Sequence, residues 1–281
     1  MEKIRVGIQL YSLRDEMAKD MDGTLKKVAE MGYDCVEFAG FFDKSADEVK
    51  ALCDKYNLTP ISVHQSIDPY LNDESAKQMV EYLLTLGVKH SVVPWMDKTV
   101  FHDEKKYAEF VEQMKKTGAL LRENGITLGY HNHDFEFEKV NGEYILDRLY
   151  TDVDETLLKP ELDLCWVKYG GEDPVKYVNK YANRSELVHF KDFYATEMGG
   201  GAVYALIDEN GKEIERKKTQ AETAFKFMPL GKGVQDFVPI VDAVKKSNIS
   251  YVIYEKDQWY DGDPFEDARV SREFLKEKFG L

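Results

Sequence analysis

Residues 105–131 read KKYAEFVEQMKKTGALLRENGITLGYH, and this stretch shows the unit from which the fold is built. Apolar side chains in Lys105–Glu123 recur with the spacing of an amphipathic helix. Thr127–His131 has the short apolar pattern of a buried strand. Gly125 stands between the two, where a helix that ends on a left-handed residue favours glycine. The stretch therefore predicts a helix that leads directly into a strand.

The same unit recurs along the chain. Gly32 and Gly87 each stand between a helical stretch and a strand-like run. Repeated units of this kind predict parallel strands joined by right-handed crossovers. Strand-like runs occupy Arg5–Leu10, Cys35–Phe38, Pro60–His64, Ser91–Pro94, Thr127–His131, Glu161–Cys165, Leu187–Lys191 and Tyr251–Glu255. Further helical patterns occupy Gly23–Met31, Ala46–Tyr56, Glu74–Leu86, Pro174–Tyr181 (with Asp173 as its N-cap) and Pro264–Lys278.

Eight such units in a chain of 281 residues predict an α/β protein with one closed (β/α)₈ barrel, a TIM barrel, as a single domain over residues 1–281. An open, doubly wound sheet would place a glycine-rich fingerprint after the first strand, and Gln9–Ser12 offers none.

One region interrupts the repeat. Phe193–Gln235, after the seventh strand, is far longer than an ordinary loop between a strand and a helix. Asn210-Gly211 within it predicts a hairpin around residues 209–212. Because the insertion follows a strand, we expect it over the mouth of the barrel, either as a surface decoration or as a lid that contacts the substrate.

The charge balance limits the partners. Lys and Arg total 38 against 52 Asp and Glu, a formal net charge of −14. Such a surface repels phosphate backbones and anionic lipid, so neither nucleic acid nor a membrane is expected as a partner. No signal-peptide pattern and no apolar run of about 20 residues is present. Three widely spaced cysteines are typical of a reduced, cytoplasmic protein, and assembly into a homo-oligomer stays open.

Polar side chains lie at or near the carboxyl end of nearly every predicted strand. In a parallel barrel the catalytic groups lie at the carboxyl ends of the strands, and residues two apart face the same side. Each residue alone is weak evidence, but several inward-facing ionisable groups are costly to bury without a partner. One divalent cation, Mn²⁺, Mg²⁺, Co²⁺ or Zn²⁺, is the partner that suits mixed histidine and carboxylate ligands. The groups are Glu37, His64, His131, His133, Asp163, His189, Lys191 and Glu255.

Short motifs at these positions resemble the xylose isomerase-like TIM barrel superfamily of sugar isomerases, epimerases and dehydratases. The most specific part is His189-Phe190-Lys191-Asp192 followed by Pro229-Leu230-Gly231-Lys232-Gly233. The others are Val36-Glu37-Phe38, Ser62-Val63-His64, Tyr130-His131-Asn132-His133, Leu162-Asp163 and Tyr254-Glu255. The resemblance covers essentially the whole chain.

The resemblance implies one metal ion held by a Glu, an Asp, a His and a Glu from strands five to eight. Asp163, His189 and Glu255 match the last three of these. The strand-five Glu falls at or near Gly129, which cannot ligate, and His131 is the expected replacement, with Glu136 or a water as the fallback. The departure also removes one of the two carboxylates that the epimerases of the family use as acid and base.

Abasic-site endonucleases share this barrel, and the resemblance implies that they need a histidine three residues after the strand-six Asp. Trp166 stands there in this chain, and the negative charge opposes DNA. We therefore do not expect the protein to be an abasic-site endonuclease.

The resemblance thus predicts a metal-dependent isomerase or epimerase of a small, sugar-like hydroxy-carbonyl substrate that reacts through an enediolate. Glu255 or His131 would be the base, and Lys191 would stabilise negative charge unless it pairs with Asp192. Glu37, His64 and His133 would hold substrate hydroxyls, and Trp166 and Trp259 would stack on the sugar. Two alternatives stay open: a dehydratase or lyase acting on a keto-sugar or 3-keto-glycoside with the same metal site, and a non-catalytic sugar-binding protein.

Overall fold

The computed structural model describes residues 4–198, 225–260 and 262–281. Eight parallel strands close into a barrel in which each strand pairs with its neighbours in chain order and the eighth pairs with the first. These strands are β1 (Arg5–Gln9), β2 (Cys35–Phe38), β3 (Thr59–His64), β4 (His90–Val93), β5 (Thr127–His131), β6 (Lys159–Asp163), β7 (Leu187–Phe190) and β8 (Tyr251–Tyr254). The predicted (β/α)₈ barrel is confirmed.

Helices surround the barrel. Gly32, Gly87 and Gly125 adopt the left-handed conformation, with φ of 86°, 87° and 72°, as the repeated unit predicts. Asp173 caps its helix by accepting a hydrogen bond from the Val175 N–H. The α-helices of the described residues are Arg14–Lys19, Met21–Glu30, Ala46–Lys55, Asp73–Leu86, Lys98–His102, Glu104–Glu123, Ile145–Asp152, Leu164–Tyr169, Pro174–Lys180, Phe237–Val244 and Pro264–Phe279.

The sixth strand ends two residues earlier than predicted. Asp163 is its last residue, and a helix begins at Leu164. The Asp163 Oδ1 accepts hydrogen bonds from the N–H groups of Cys165 and Trp166, which is the bonding of a helix N-cap. The apolar run Leu164–Trp166 resembles a strand in sequence because all of its side chains are buried.

The barrel lumen is apolar at mid-height and polar above. Cys35, Ile61, Val92, Leu187 and Ile253 come from five different strands and form one buried cluster. On β2, β7 and β8 the side chain two residues further on faces the same side and is polar, namely Glu37, His189 and Glu255. The functional groups therefore rest on an apolar floor.

The stem of the insertion is a two-stranded antiparallel sheet. Asp192–Ala195 pairs with Phe225–Met228. Its inner side packs against the short helix after β6 in a cluster of Cys165, Trp166, Tyr169, Phe193, Phe225 and Phe227. The hairpin predicted around residues 209–212 lies outside the described residues, and the role of the insertion as a lid stays a prediction.

Asp192 anchors both ends of this insertion. Its carboxylate accepts hydrogen bonds from the N–H groups of Phe193, Gly231, Gly233 and Gln235, at 2.8 to 3.1 Å. A Cβ atom on Gly233 would lie 2.2 Å from the Asp192 Oδ1, so only glycine allows this approach. The Lys191 ion pairs found among the described residues are with Asp163, Glu255 and Asp257, so the alternative in which Lys191 pairs with Asp192 gains no support.

No helix in the described ranges is long and apolar enough to cross a bilayer. All three cysteines are buried and carry free thiols.

We expect Asp192→Ala to lower the free energy of unfolding by roughly 3 to 5 kcal/mol, because several buried N–H groups lose one acceptor together. Urea denaturation followed by circular dichroism measures the change. Asp236→Ala is the matched control: Asp236 caps a helix through the Val238 N–H, and losing such a cap costs about 1 kcal/mol. Equal losses in the two variants would contradict the anchoring role.

Candidate active site

Four buried side chains converge at the carboxyl ends of the last four strands. His131, Asp163, His189 and Glu255 each place one ligand atom within 4.8 Å of those of the other three. We call these residues the upper cluster. The Asp163 Oδ2 is buried and, within the described residues, accepts no well-aligned hydrogen bond, although the Lys191 Nζ lies 3.2 Å from it. Two imidazoles, two carboxylates and an unsatisfied acceptor fit a divalent cation.

Lys191 lies against this cluster. Its Nζ is 2.8 Å from the Glu255 Oε2 and 3.2 Å from the Asp163 Oδ2. It also donates to both carboxylate oxygens of Asp257, at 3.0 Å. Sequence reasoning missed Asp257, although its position two residues after Glu255 placed it on the same side of the chain.

A second polar group lies directly below. The Glu161 Oε2 is 2.7 Å from the His64 Nε2, 3.2 Å from the His131 Nδ1 and 3.4 Å from the His189 Nε2. These four residues have ligand atoms within 4.8 Å of one another. Sequence reasoning missed Glu161 as well; the signal was its place two residues before Asp163.

Glu37 belongs to the same level. Its carboxylate accepts hydrogen bonds from the Gln9 Nε2, at 2.7 Å, and from the Ser62 hydroxyl. The Glu37 Oε1 also lies 2.8 Å from the His189 Nε2. We call Gln9, Glu37, Ser62, His64 and Glu161 the lower layer. The structure thus places Glu37 and His64 beneath the upper cluster, and their expected contact with substrate hydroxyls stays a prediction.

The other expected substrate residues lie to the side. His133 is buried, with its ring centroid 5.2 Å from that of His131. Trp166 is fully buried and stacks on Phe225 with centroids 5.5 Å apart, because the stem of the insertion covers it. Trp259 packs on the Arg14 guanidinium at 4.6 Å. Sugar stacking by either tryptophan stays untested.

Strand β5 has no room for a ligating glutamate at Gly129. A Cβ atom there would lie 2.8 Å from the Val92 Cγ2. The fallback ligand Glu136 is occupied elsewhere: its carboxylate accepts from the Tyr130 hydroxyl and from the His133 N–H, both at 2.7 Å. His131, in contrast, is part of the upper cluster.

The electrostatic environment sets the charges of the groups. Burial and the neighbouring histidines lower the pKa of His131 to about 4, so its imidazole is neutral, as a metal ligand requires. Burial raises the pKa of Glu255, but Lys191 and His189 outweigh it and hold that pKa well below its usual range. Burial likewise lowers the pKa of His189, yet Glu161 and Glu37 raise it to well above the ordinary value.

The fold and the upper cluster together define a TIM-barrel protein with a candidate metal site at the carboxyl ends of its strands. A model of the xylose isomerase-like TIM barrel family matches residues 25–278. The chain belongs to this family.

Several curated relatives are named inosose dehydratase. Inosose dehydratase of Clostridium beijerinckii is 25% identical over 308 aligned positions, which cover 100% of this chain and 99% of that protein. Inosose dehydratase of Clostridium perfringens is 29% identical over 234 positions, which cover 76% and 73% of the two chains. These relatives are enzymes.

Solved structures share the fold. A sugar phosphate isomerase/epimerase from Parabacteroides distasonis superimposes with a TM-score of 0.73 at 22% identity and covers 98% of this chain and 94% of that one. The IolI protein, whose structure holds a zinc atom, does so with a TM-score of 0.70 at 16% identity and covers 98% and 97%.

Glu136 offers a test by pH. Burial raises its pKa to about 8 from an ordinary value of 4.5. The unfolded chain releases this proton at lower pH than the folded chain, so the folded state loses stability as pH rises from about 4.5 to 8. Glu136→Gln cannot release a proton. In chelator-treated protein, we expect the variant to gain stability over the wild type steadily between pH 5 and pH 8.

Urea midpoints at several pH values measure this difference. The exposed Glu123→Gln is the control and should follow the wild type at every pH. A constant difference between Glu136→Gln and the wild type would show that Glu136 is ionised throughout.

Proposed function

We propose that the protein is a divalent-metal-dependent lyase that removes water, or another β-substituent, from a cyclic keto-sugar or keto-polyol. The observation that carries the proposal is the upper cluster with Lys191 beside Glu255. The full-length similarity to proteins named inosose dehydratase supports elimination as the outcome. Gly129 supports it too, since β5 lacks the carboxylate that the resemblance assigns to epimerases at this position.

The upper cluster would hold the ion through His131, Asp163, His189 and Glu255. Bound there, the ion would supply Lewis-acid chemistry that stabilises negative charge on the substrate carbonyl oxygen.

The chain's own residues carry the protons. The Glu255 carboxylate takes the proton from the carbon beside the carbonyl, and the electron pair of that C–H bond forms the new double bond. The C–O bond to the β-hydroxyl then breaks, and the Lys191 ammonium supplies the proton that turns the departing group into water. Because Glu255 and Lys191 are 2.8 Å apart, the proton on Glu255 returns to Lys191 and restores both groups. His131 is the second candidate for the base.

Isomerisation or epimerisation is the second candidate function, because it shares the first proton transfer and solved structures of that name share the fold. In that case the carbon regains a proton and no group leaves.

We expect the purified protein to hold about one divalent ion per chain and to lose activity after chelation. Elemental analysis measures the ion. Mass spectrometry of products from a panel of keto-cyclitols, 3-keto-glycosides and free ketoses identifies the reaction. Elimination lowers the mass of the product by the group that leaves, whereas isomerisation preserves it. A protein that binds these compounds without metal and converts none of them would be a sugar-binding protein, and the proposal would be wrong.

We expect Glu255→Gln, assayed at saturating metal, to lower turnover by about 10² to 10⁴, the usual contribution of a positioned base. Exchange of the substrate's carbon-bound proton with deuterium from solvent should slow in parallel. Glu186→Gln is the control, since Glu186 directly precedes β7 and lies near His90 at the amino-terminal end of the barrel. Exchange at the wild-type rate in Glu255→Gln would assign the base to His131 or Lys191.

A further inference from the structure

The two histidines of the upper cluster use opposite ring nitrogens. The His131 Nε2 faces Asp163, at 3.6 Å from its Oδ2, while its Nδ1 faces Glu161. The His189 Nδ1 lies 2.8 Å from the Glu255 Oε2, while its Nε2 faces Glu37. Each imidazole thus spans from the upper cluster to the lower layer.

A neutral imidazole that ligates a metal through one nitrogen carries its proton on the other. For both histidines that second nitrogen points down at a carboxylate. The distances are 3.2 Å from the His131 Nδ1 to Glu161 and 2.8 Å from the His189 Nε2 to Glu37. The first contact is a hydrogen bond. The second is short enough for one, but the His189 Nε2 has no well-aligned hydrogen-bond partner among the described residues.

We propose that Glu161 and Glu37 are positioning residues that fix the tautomers of the two histidines. Glu161 accepts the His131 Nδ1–H and so presents the Nε2 lone pair upward. Glu37, whose Oε1 lies 2.8 Å from the His189 Nε2, would accept the proton that this nitrogen carries when the ring ligates through Nδ1. This inference rests on the proposed metal centre and assigns its two imidazole ligands opposite nitrogens.

The surroundings hold both carboxylates in place. Gln9 and Ser62 donate to Glu37 from the two neighbouring strands. His64, on β3, approaches Glu161 at 2.7 Å from the side opposite β6. Glu37 and Glu161 are at most 1% exposed, and their contacts in the structure are with these neighbouring side chains.

A second cation in the lower layer is the rival explanation, because Glu161, His64, His131 and His189 are close enough to share one. Ligation in the upper cluster argues against it. It directs two N–H groups into the lower layer, and these groups repel a cation there. If both rings ligate the ion in the upper cluster, the lower layer accepts hydrogen bonds from their N–H groups and does not hold a second cation.

The experiment begins with the wild-type protein labelled with ¹⁵N at histidine and loaded with Zn²⁺. Two-bond ¹⁵N–¹H correlation spectra distinguish the protonated nitrogen of a ring from the ligating one. We expect a protonated Nδ1 at His131 and a protonated Nε2 at His189. The same nitrogen protonated in both rings, or two zinc ions bound per chain, would overturn the proposal.

Two variants then test the roles of Glu161 and Glu37 one at a time. Glu161→Gln should shift the ring signals of His131 most and those of His189 less, since Glu161 is 3.2 Å from the first ring and 3.4 Å from the second. Glu37→Gln should shift those of His189 and leave those of His131. Each should weaken Zn²⁺ binding by about 10- to 100-fold, the usual effect of losing such a partner. Competition with a chromogenic chelator measures the affinity. Glu186→Gln, which lies near His90 at the other end of the barrel, should bind Zn²⁺ as the wild type does.

The outcomes also separate this inference from the proposed function. A wild-type protein that binds no divalent ion refutes the metal centre and with it the tautomer assignment. Tight Zn²⁺ binding that both glutamine variants retain refutes the positioning role alone. Loss of elimination activity in variants that keep their histidine signals would also count against it, because the carboxylates would then act by another route.

Discussion

Five carboxylates lie in the lumen of the barrel, and their burial is the constraint on which the site depends. They are Glu37, Glu161, Asp163, Glu255 and Asp257. A buried carboxylate is costly unless a counter-charge and hydrogen bonds compensate it. Lys191 provides one positive charge among three of them. The imidazoles and the proposed divalent ion would supply the remainder, so charge compensation and metal binding would be the same problem in this protein.

The charged groups are arranged at different heights in the barrel because every second side chain of a strand faces the lumen. Glu161 and Asp163 are consecutive inward positions on β6, and Glu255 and Asp257 follow each other in the same way after β8. These two strands therefore each contribute one carboxylate to the upper cluster and a second one above or below it. The histidines connect the levels, because an imidazole has a nitrogen at each side.

The sequence alone predicted the eight strands, the glycine caps and the convergence of Asp163, His189 and Glu255, because these follow from local pattern and from the strand-end rule. It did not predict Glu161, whose surroundings depend on the register between β5 and β6, where His131 is opposite Glu161. Nor did it predict the burial of Trp166, since the covering Phe225 comes from the far end of the insertion. Such contacts depend on how distant elements meet, which a local pattern does not encode.

The anchoring of the insertion by Asp192 has a consequence for the evolution of the protein. One carboxylate fixes the residues where the segment leaves the barrel and where it returns. A segment held at both ends can change in length and composition at small thermodynamic cost. Lys191 is next to this anchor, and its position depends on the strand and on Asp192 and not on the intervening residues. Variation in the length of the segment between these ends would therefore leave the position of Lys191 and of the groups it contacts unchanged.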